Sequence, residues 1–298
     1  MPRRVRRVPD GVMTNEEILR LIALPLSALR RRARVPFRTL PTIPAVLEDM
    51  ADAILAEVRA GARTGRPVRL ILPVGPVAHY RRVVEVSNRE GLSWRAVHIF
   101  AMDEFLDWEG RPVPESHPLS FAGFLRRELL GRLDRSLRPP ARHLVVPHPF
   151  RIDEASERIR AVGGIDCCFG GIGYHGHVAF NEPPLSRWAR ISVDDLRASR
   201  TRVLPLGDDS ILVQSIGSAG GCSAAIPPMA VTLGMRDILA ARRIRLYCAG
   251  GERHRTIFRV TVAGRVGIEH PSTLVQGHPD AEVLIDAASA EPVRPGLR

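Results

Sequence analysis

From Ile43 onward, apolar positions follow two alternating rhythms. Val46, Leu47, Met50, Ile54, Leu55 and Val58 recur at helical spacing, which predicts an amphipathic helix ending at Gly61. The next apolar run, VRLILP (68–73), is short and continuous, as in a strand covered on both faces. The exchange then repeats. VAHYRRVVEVSNRE (77–90) reads as a helix, RAVHIFA (95–101) as a strand, HPLSFAGFLRRELLGRL (117–133) as a helix and HLVVP (143–147) as a strand. DEASERIRAVGG (153–164) is a helix closed by glycine, and IDCCFGG (165–171) a further strand. Beyond residue 228, MAVTLG (229–234), RIRLYCA (243–249) and AEVLID (281–286) read as strands, with helices over MRDILAA (235–241) and ERHRTIFRVTV (252–262).

Short apolar strands alternating with amphipathic helices specify an α/β doubly wound fold, a mainly parallel sheet with helices on both faces. Residues 41–298 form a single domain in this reading. Residues 1–40 are rich in Arg and Pro, with one capped helix from Thr14, and are expected to be an arm outside the main fold. In doubly wound sheets the loops after the carboxyl ends of strands carry the site. Three qualify: PVGPVAH (73–79), MDEFLD (102–107) and GGIGYHGHVAFNEPP (170–184).

Composition narrows the chemistry. The net charge of +11 would suit nucleic acid, but the chain has no lysine, so all 43 basic residues are arginine and are spread evenly. With three tyrosines and three tryptophans there is little to stack on bases, so no nucleic-acid partner is expected. The missing lysine excludes Schiff-base aldolases, lysine-bound pyridoxal phosphate and a Walker-type phosphate loop. No apolar run reaches the ~20 residues of a membrane span, and the basic start has no apolar segment behind it. A soluble, cytoplasmic protein is expected. Cys167, Cys168, Cys222 and Cys248 lack C-x-x-C spacing; the adjacent Cys167 and Cys168 read as core residues.

The loop 170–184 holds four glycines (Gly170, Gly171, Gly173, Gly176), His175, His177, Asn181 and Glu182. His175-x-His177-x4-Glu182 matches half of a cupin-like metal motif, and histidines two apart can both face an ion from a β-strand. The glycines and the βαβ surroundings favour proton transfer on a small substrate instead. A plain glycine-rich turn explains the glycines but not the crowding of Asn181, Glu182 and two histidines. Asp103 and Glu104, after HIFAM, could be a solvated helix start. At the same sheet edge as His177 and Glu182 they could equally supply acid–base chemistry for a sugar or carbonyl compound.

Asp103-Glu104 after an apolar strand, HPLSFAGFLRREL, GGIGYHGHVAFNEP and PPMAVTLGMRDILAARRIRLYCAGGERH, in that order over roughly residues 45–286, together resemble the glucosamine-6-phosphate deaminase/isomerase family. The 6-phosphogluconolactonases are cousins that share the glycine loop. The resemblance implies a Rossmann-like sheet, a sugar-phosphate substrate, no metal or organic cofactor, and a homo-oligomer. By position it makes Asp103 the base that moves a proton between C2 and C1 of the open sugar. It makes His177 the ring-opening histidine and Glu182 its paired carboxylate. Arg202 and Arg253 correspond to the phosphate-binding positions, and Arg197 to an arginine in the segment covering the site. Gly75, Glu104, Gly173 and Gly176 are further expected to contact substrate.

The chain departs from the family in two loops. Where His175 stands the family usually carries an aspartate, and a second histidine opposes protonation of His177 by repulsion. The first loop offers no hydroxyl, and Pro76 removes a backbone donor from the phosphate cradle. Backbone N–H groups near Gly217, Gly220 and Gly221 could supply an anion nest in its place. A divergent isomerase/deaminase is the leading expectation. A metal-dependent enzyme using His175, His177 and Glu182, and a sugar-effector-binding protein without catalysis, are the alternatives.

Overall fold

Continuous apolar runs become parallel strands here because both their faces are covered. A computed structural model describes residues 11–184, 191–294 and 296. Seven strands form the main sheet: β1 (Phe37–Leu40), β2 (Val68–Leu72), β3 (Val97–Ala101), β5 (Leu144–Val145), β6 (Cys167–Gly171), β9 (Ile244–Cys248) and β10 (Ala281–Asp286). Their order is β1-β10-β9-β6-β2-β3-β5, and every neighbouring pair is parallel. The Rossmann-like expectation is met.

The two-residue period of a strand divides the core into two. Ile71, Phe100, Cys168 and Leu246 pack on one face, while Leu70, Leu72, Ile99 and Cys167 pack on the other. Cys167 and Cys168 thus feed opposite cores, and burial pushes the Cys167 thiol up to about 12. These are inert core groups.

A second, three-stranded antiparallel sheet was not legible in the pattern. It runs β4 (Asp103–Leu106), β8 (Met229–Thr232) and β7 (Arg202–Pro205), with β8 in the middle. MDEFLD is therefore a strand rather than a loop, and MAVTLG belongs to this small sheet rather than the parallel one. The two sheets share a junction at Met102: its N–H donates to Leu72 O at 3.3 Å, and its carbonyl accepts from Leu233 N–H at 2.8 Å. The chain leaves the parallel sheet there and enters the antiparallel one at Asp103.

Two further expectations need correction. The helix predicted to stop at Gly61 runs Ile43–Thr64 and ends on Gly65, whose φ of 67° is the left-handed cap. Gly61 lies inside it because a Cβ there would come within 2.1 Å of Val68 Cγ2. It serves close helix–strand packing. Residues 11–40, expected to lie outside the fold, are built into it. Helices Asn15–Ile22 and Leu26–Arg32 precede β1, and Leu21, Leu29, Val35 and Phe37 are buried in the core. Phe37 meets Phe258 edge to face with centroids 5.0 Å apart. Residues 1–10 are outside the described residues. Among the described residues no helix is long and apolar enough to cross a membrane.

Deleting residues 1–40 should accordingly remove an edge strand and several buried side chains, each worth roughly 1.5–3 kcal/mol of burial. The truncated chain is expected to lose cooperative unfolding in urea. A truncation that melts like the full chain would restore the arm.

Candidate active site

The carboxyl ends of β2, β3, β6 and β9 open into one cavity of about 270 Å³. Its walls come from Pro73–Pro76 after β2, Met102 and Asp103 at the sheet junction, Gly171–Tyr174 and His177 after β6, and Ala249, Gly250, Arg253 and His254 after β9. Ser210, Val213 and Gln214, on the helix Asp208–Ser218, complete it.

Asp103 is 6% exposed, at the first position of β4 opposite Thr232. Its pKa is pushed up to about 8, by burial first and then by the charge of Glu104, while the Phe180 N–H pulls the other way. Adjacent Glu104 faces elsewhere in the structure. Its oxygens accept from the N–H groups of Phe105 (2.9 Å), Phe121 (2.9 Å) and Ala122 (2.8 Å), and from Ser120 Oγ (3.0 Å). Glu104 holds the start of the helix Phe121–Phe124 and, unlike Asp103, is not among the residues lining the cavity. Neighbouring strand residues point to opposite faces, which is why this carboxylate pair divides its work.

The glycine loop is a tight turn. Gly173 N–H donates to His177 O and Gly176 N–H to Gly173 O, both at 2.9 Å. A Cβ on Gly173 would stand 1.9 Å from His177 Nε2, so the ring occupies space only glycine leaves. Gly176 has φ 92°, and its carbonyl accepts from Ser272 N–H at 2.7 Å. It sits under the turn and does not line the cavity. Asn181 is fully buried and pins the far end: Nδ2 donates to Val178 O (3.0 Å) and Leu233 O (2.7 Å). Ala179, which lines the cavity, takes φ 56°, a left-handed conformation that costs a non-glycine residue about 1–2 kcal/mol.

His177 faces the cavity with its pKa pushed down to about 3, by burial first and then by His175 and His254. The repulsion expected from His175 is present, though secondary to burial. Glu182 is 8% exposed, and its Oε2 accepts from Gly207 N–H at 2.7 Å. The Glu182–His177 pairing is not made: Glu182 Oε1 and the Nδ1 atoms of His175 and His177 have no hydrogen-bond partner among the described residues.

The arginines separate. Arg253 is exposed and lines the cavity. Arg202 does not; its Nη1 donates to Asn181 Oδ1 at 2.7 Å, and burial lowers its pKa. Arg197 pairs with Asp194 at 2.6 Å on the helix Val193–Arg197, outside the cavity lining. Gly217 lies in the last turn of the helix Asp208–Ser218, and Gly220 and Gly221 follow it at positive φ; none lines the cavity. The segment expected to supply an anion nest is thus not part of the cavity wall. Sequence reasoning missed His254, which stands next to Arg253 with a pKa lowered by burial and by that arginine. It also missed Ser210, Val213 and Gln214. The turn over Gly250 could have signalled His254, since a Cβ there would lie 2.1 Å from His254 Nδ1.

No family model matches the chain. Over 253 residues it is 31% identical to the glucosamine-6-phosphate deaminase of Porphyromonas gingivalis, covering 83% of this chain and 89% of that one. The chain belongs to the glucosamine-6-phosphate deaminase family. The deaminase of Caenorhabditis elegans is 28% identical over 249 residues, covering 81% of this chain and 85% of its own. Among solved structures, a monomeric glucosamine-6-phosphate deaminase superposes with a TM-score of 0.72 at 20% identity, covering 86% of this chain and 98% of that one. The 6-phosphogluconolactonase of Thermotoga maritima gives 0.60 at 16% identity, covering 84% and 99%. These likenesses show the deaminase fold, shared with the lactonases.

Burial of Asp103 has a measurable consequence for stability. Folded, it holds its proton up to about pH 8; an unfolded aspartic acid releases it near ~4. The stabilisation from the retained proton is therefore complete below ~4 and lost as pH rises through about 8. Asp103→Asn removes the ionisation, so its stability relative to the parent should climb from pH 4 to pH 9. Urea melts at three pH values read this directly, and a pH-independent difference would refute the buried, cation-free setting of Asp103.

Proposed function

We propose that the protein catalyses proton transfer between C2 and C1 of a phosphorylated aldose, an amino sugar or a close relative, releasing ammonia where C2 carries an amino group. The observation that carries this reading is that Asp103 and His177, a carboxylate and an imidazole, open into the same cavity. Family membership supports the substrate class.

In this reading His177 is the neutral imidazole that takes the proton of the anomeric hydroxyl and returns one to the ring oxygen, opening the sugar. Asp103 as carboxylate then takes the C2 proton and delivers it to C1. With a hydroxyl at C2 the product is a ketose. With an amino group it is a C2 imine, and water adds to that carbon and displaces ammonia. Desolvation raises the basicity of Asp103, which strengthens it as a carbon base while delaying its ionisation. Arg253 supplies the charge for the phosphate, and Arg202 acts through Asn181 to position the loop. The hydroxyl-free Pro73–Pro76 segment gives the anion fewer donors, so this arginine carries more of the binding.

Two measurements test the assignment. Asp103→Asn should lower kcat by roughly 10²–10⁴. In the parent, kcat/KM should rise with pH toward a plateau with a midpoint near 8, the ionisation of the free base. Arg253→Ala should raise KM for a phosphorylated sugar by roughly 10–100-fold, the equivalent of one charge-assisted contact, and leave an unphosphorylated one unchanged. Substrate binding without turnover across a panel of phosphorylated and free amino sugars would replace the enzyme reading with an effector-binding one.

A further inference from the structure

Three polar atoms on the glycine loop have nothing described to satisfy them. Nδ1 of His175, Nδ1 of His177 and Oε1 of Glu182 are all buried without a hydrogen-bond partner among the described residues. A buried polar atom in that state costs about 1–3 kcal/mol, so three together mark a place suited to a ligand. One ligand atom from each of His175, His177 and Glu182 lies within 4.8 Å of the others. The two rings meet edge to face, with centroids 5.0 Å apart and planes at 82°.

The backbone around these groups is held. Glu182 Oε2 accepts from Gly207 N–H at 2.7 Å, which anchors the carboxylate and leaves Oε1 over. The carbonyls of His175 and His177 meet His270 Nδ1 at 3.2 Å and Gly173 N–H at 2.9 Å. The donor set is two imidazoles and one carboxylate, which suits zinc and other divalent transition metals rather than magnesium or calcium. Three protein ligands also leave a coordination position open. Ligands bound at about 2.0–2.2 Å around a tetrahedral ion stand roughly 3.3–3.6 Å apart, so a separation of 4.8 Å needs to close by roughly 1.2–1.5 Å.

We propose that His175, His177 and Glu182 form a binding site for a divalent transition-metal ion. The site itself rests on geometry alone; its effect on activity rests on the reading of His177 given above. An ion there holds the imidazole lone pair that proton transfer needs, so the metal acts as an inhibitor of the sugar chemistry.

The experiment is a titration of chelator-treated, full-length protein with zinc by calorimetry and with cobalt(II) by visible absorption. One equivalent should bind, and cobalt should develop the d–d bands of a low-coordinate nitrogen–oxygen site. His175→Asn and Glu182→Gln, each checked for parental unfolding in urea, should weaken binding by at least the roughly 10–100-fold that losing an outer hydrogen-bond partner of a metal ligand costs. The absence of stoichiometric binding, or binding that both variants retain, overturns the site. Turnover of phosphorylated amino sugars by the chelator-treated protein is measured separately and reads the proton-transfer assignment, so the two can fail independently.

Discussion

The structure turns on one residue's backbone, Met102, which completes the parallel sheet and starts the antiparallel one. Its N–H belongs to Leu72 and its carbonyl to Leu233 N–H. A backbone group buried at such a junction has to be paired, so the bend between sheets can occur only where both partners are offered. That requirement fixes the next residue, Asp103, at the mouth of the parallel strands with β8 alongside. It also fixes Leu233, whose carbonyl receives Asn181 Nδ2 and so ties the glycine loop to the same junction. Asp103 and the glycine loop are positioned by a single hydrogen-bonded corner.

The electrostatics follow from that corner. Among the described residues Asp103 is buried beside another carboxylate with no cation against it, and His177 is buried beside two further histidines. Each holds its neutral form more strongly than it would in water. A buried charge without a partner destabilises the fold, and proteins accept such a penalty where chemistry needs it. Glu104 shows the contrast. It sits one residue away and is also buried, but four hydrogen bonds occupy its oxygens and it builds structure instead of facing the cavity.

Six of the seven parallel strands were legible in the sequence because apolar residues dominate their runs, so their pattern survives without knowledge of neighbours. The small sheet was not. Its strands DEFL and RVLP are four residues long and mix charged with apolar positions; they are strands only because β8 lies between them. Residues 11–40 were misread for a related reason: the arginines and prolines dominate the composition, while Leu29, Val35 and Phe37 are too sparse to form a period. In the site, Asp103, His177 and Arg253 line the cavity as the motifs suggested, whereas Glu104, Arg197 and Arg202 do not. Motif position locates a residue along the chain. Only packing decides which way its side chain faces.

The same distinction explains how so arginine-rich a chain need not be a polyanion binder. Many of its guanidinium groups are committed to the fold. Arg259 is fully buried and donates to the carbonyls of Arg255, Ser289 and Ala290. Arg69 grips Asp166 through Nε and Nη2 while its Nη1 donates to Val162 O, clamping β2 to the turn before β6. Arg255 joins Glu252 and Glu291, holding the carboxyl-terminal segment against the helix Arg255–Ala263. A planar group with five donors suits such work better than an ammonium would, because it can satisfy several carbonyls and carboxylates from one position. Near the cavity, arginine plays two parts: Arg202 donates to Asn181, while exposed Arg253 lines the cavity wall. A net charge summed over the sequence cannot distinguish these uses, since a guanidinium buried against backbone carbonyls adds to the total and offers no accessible donor to a ligand.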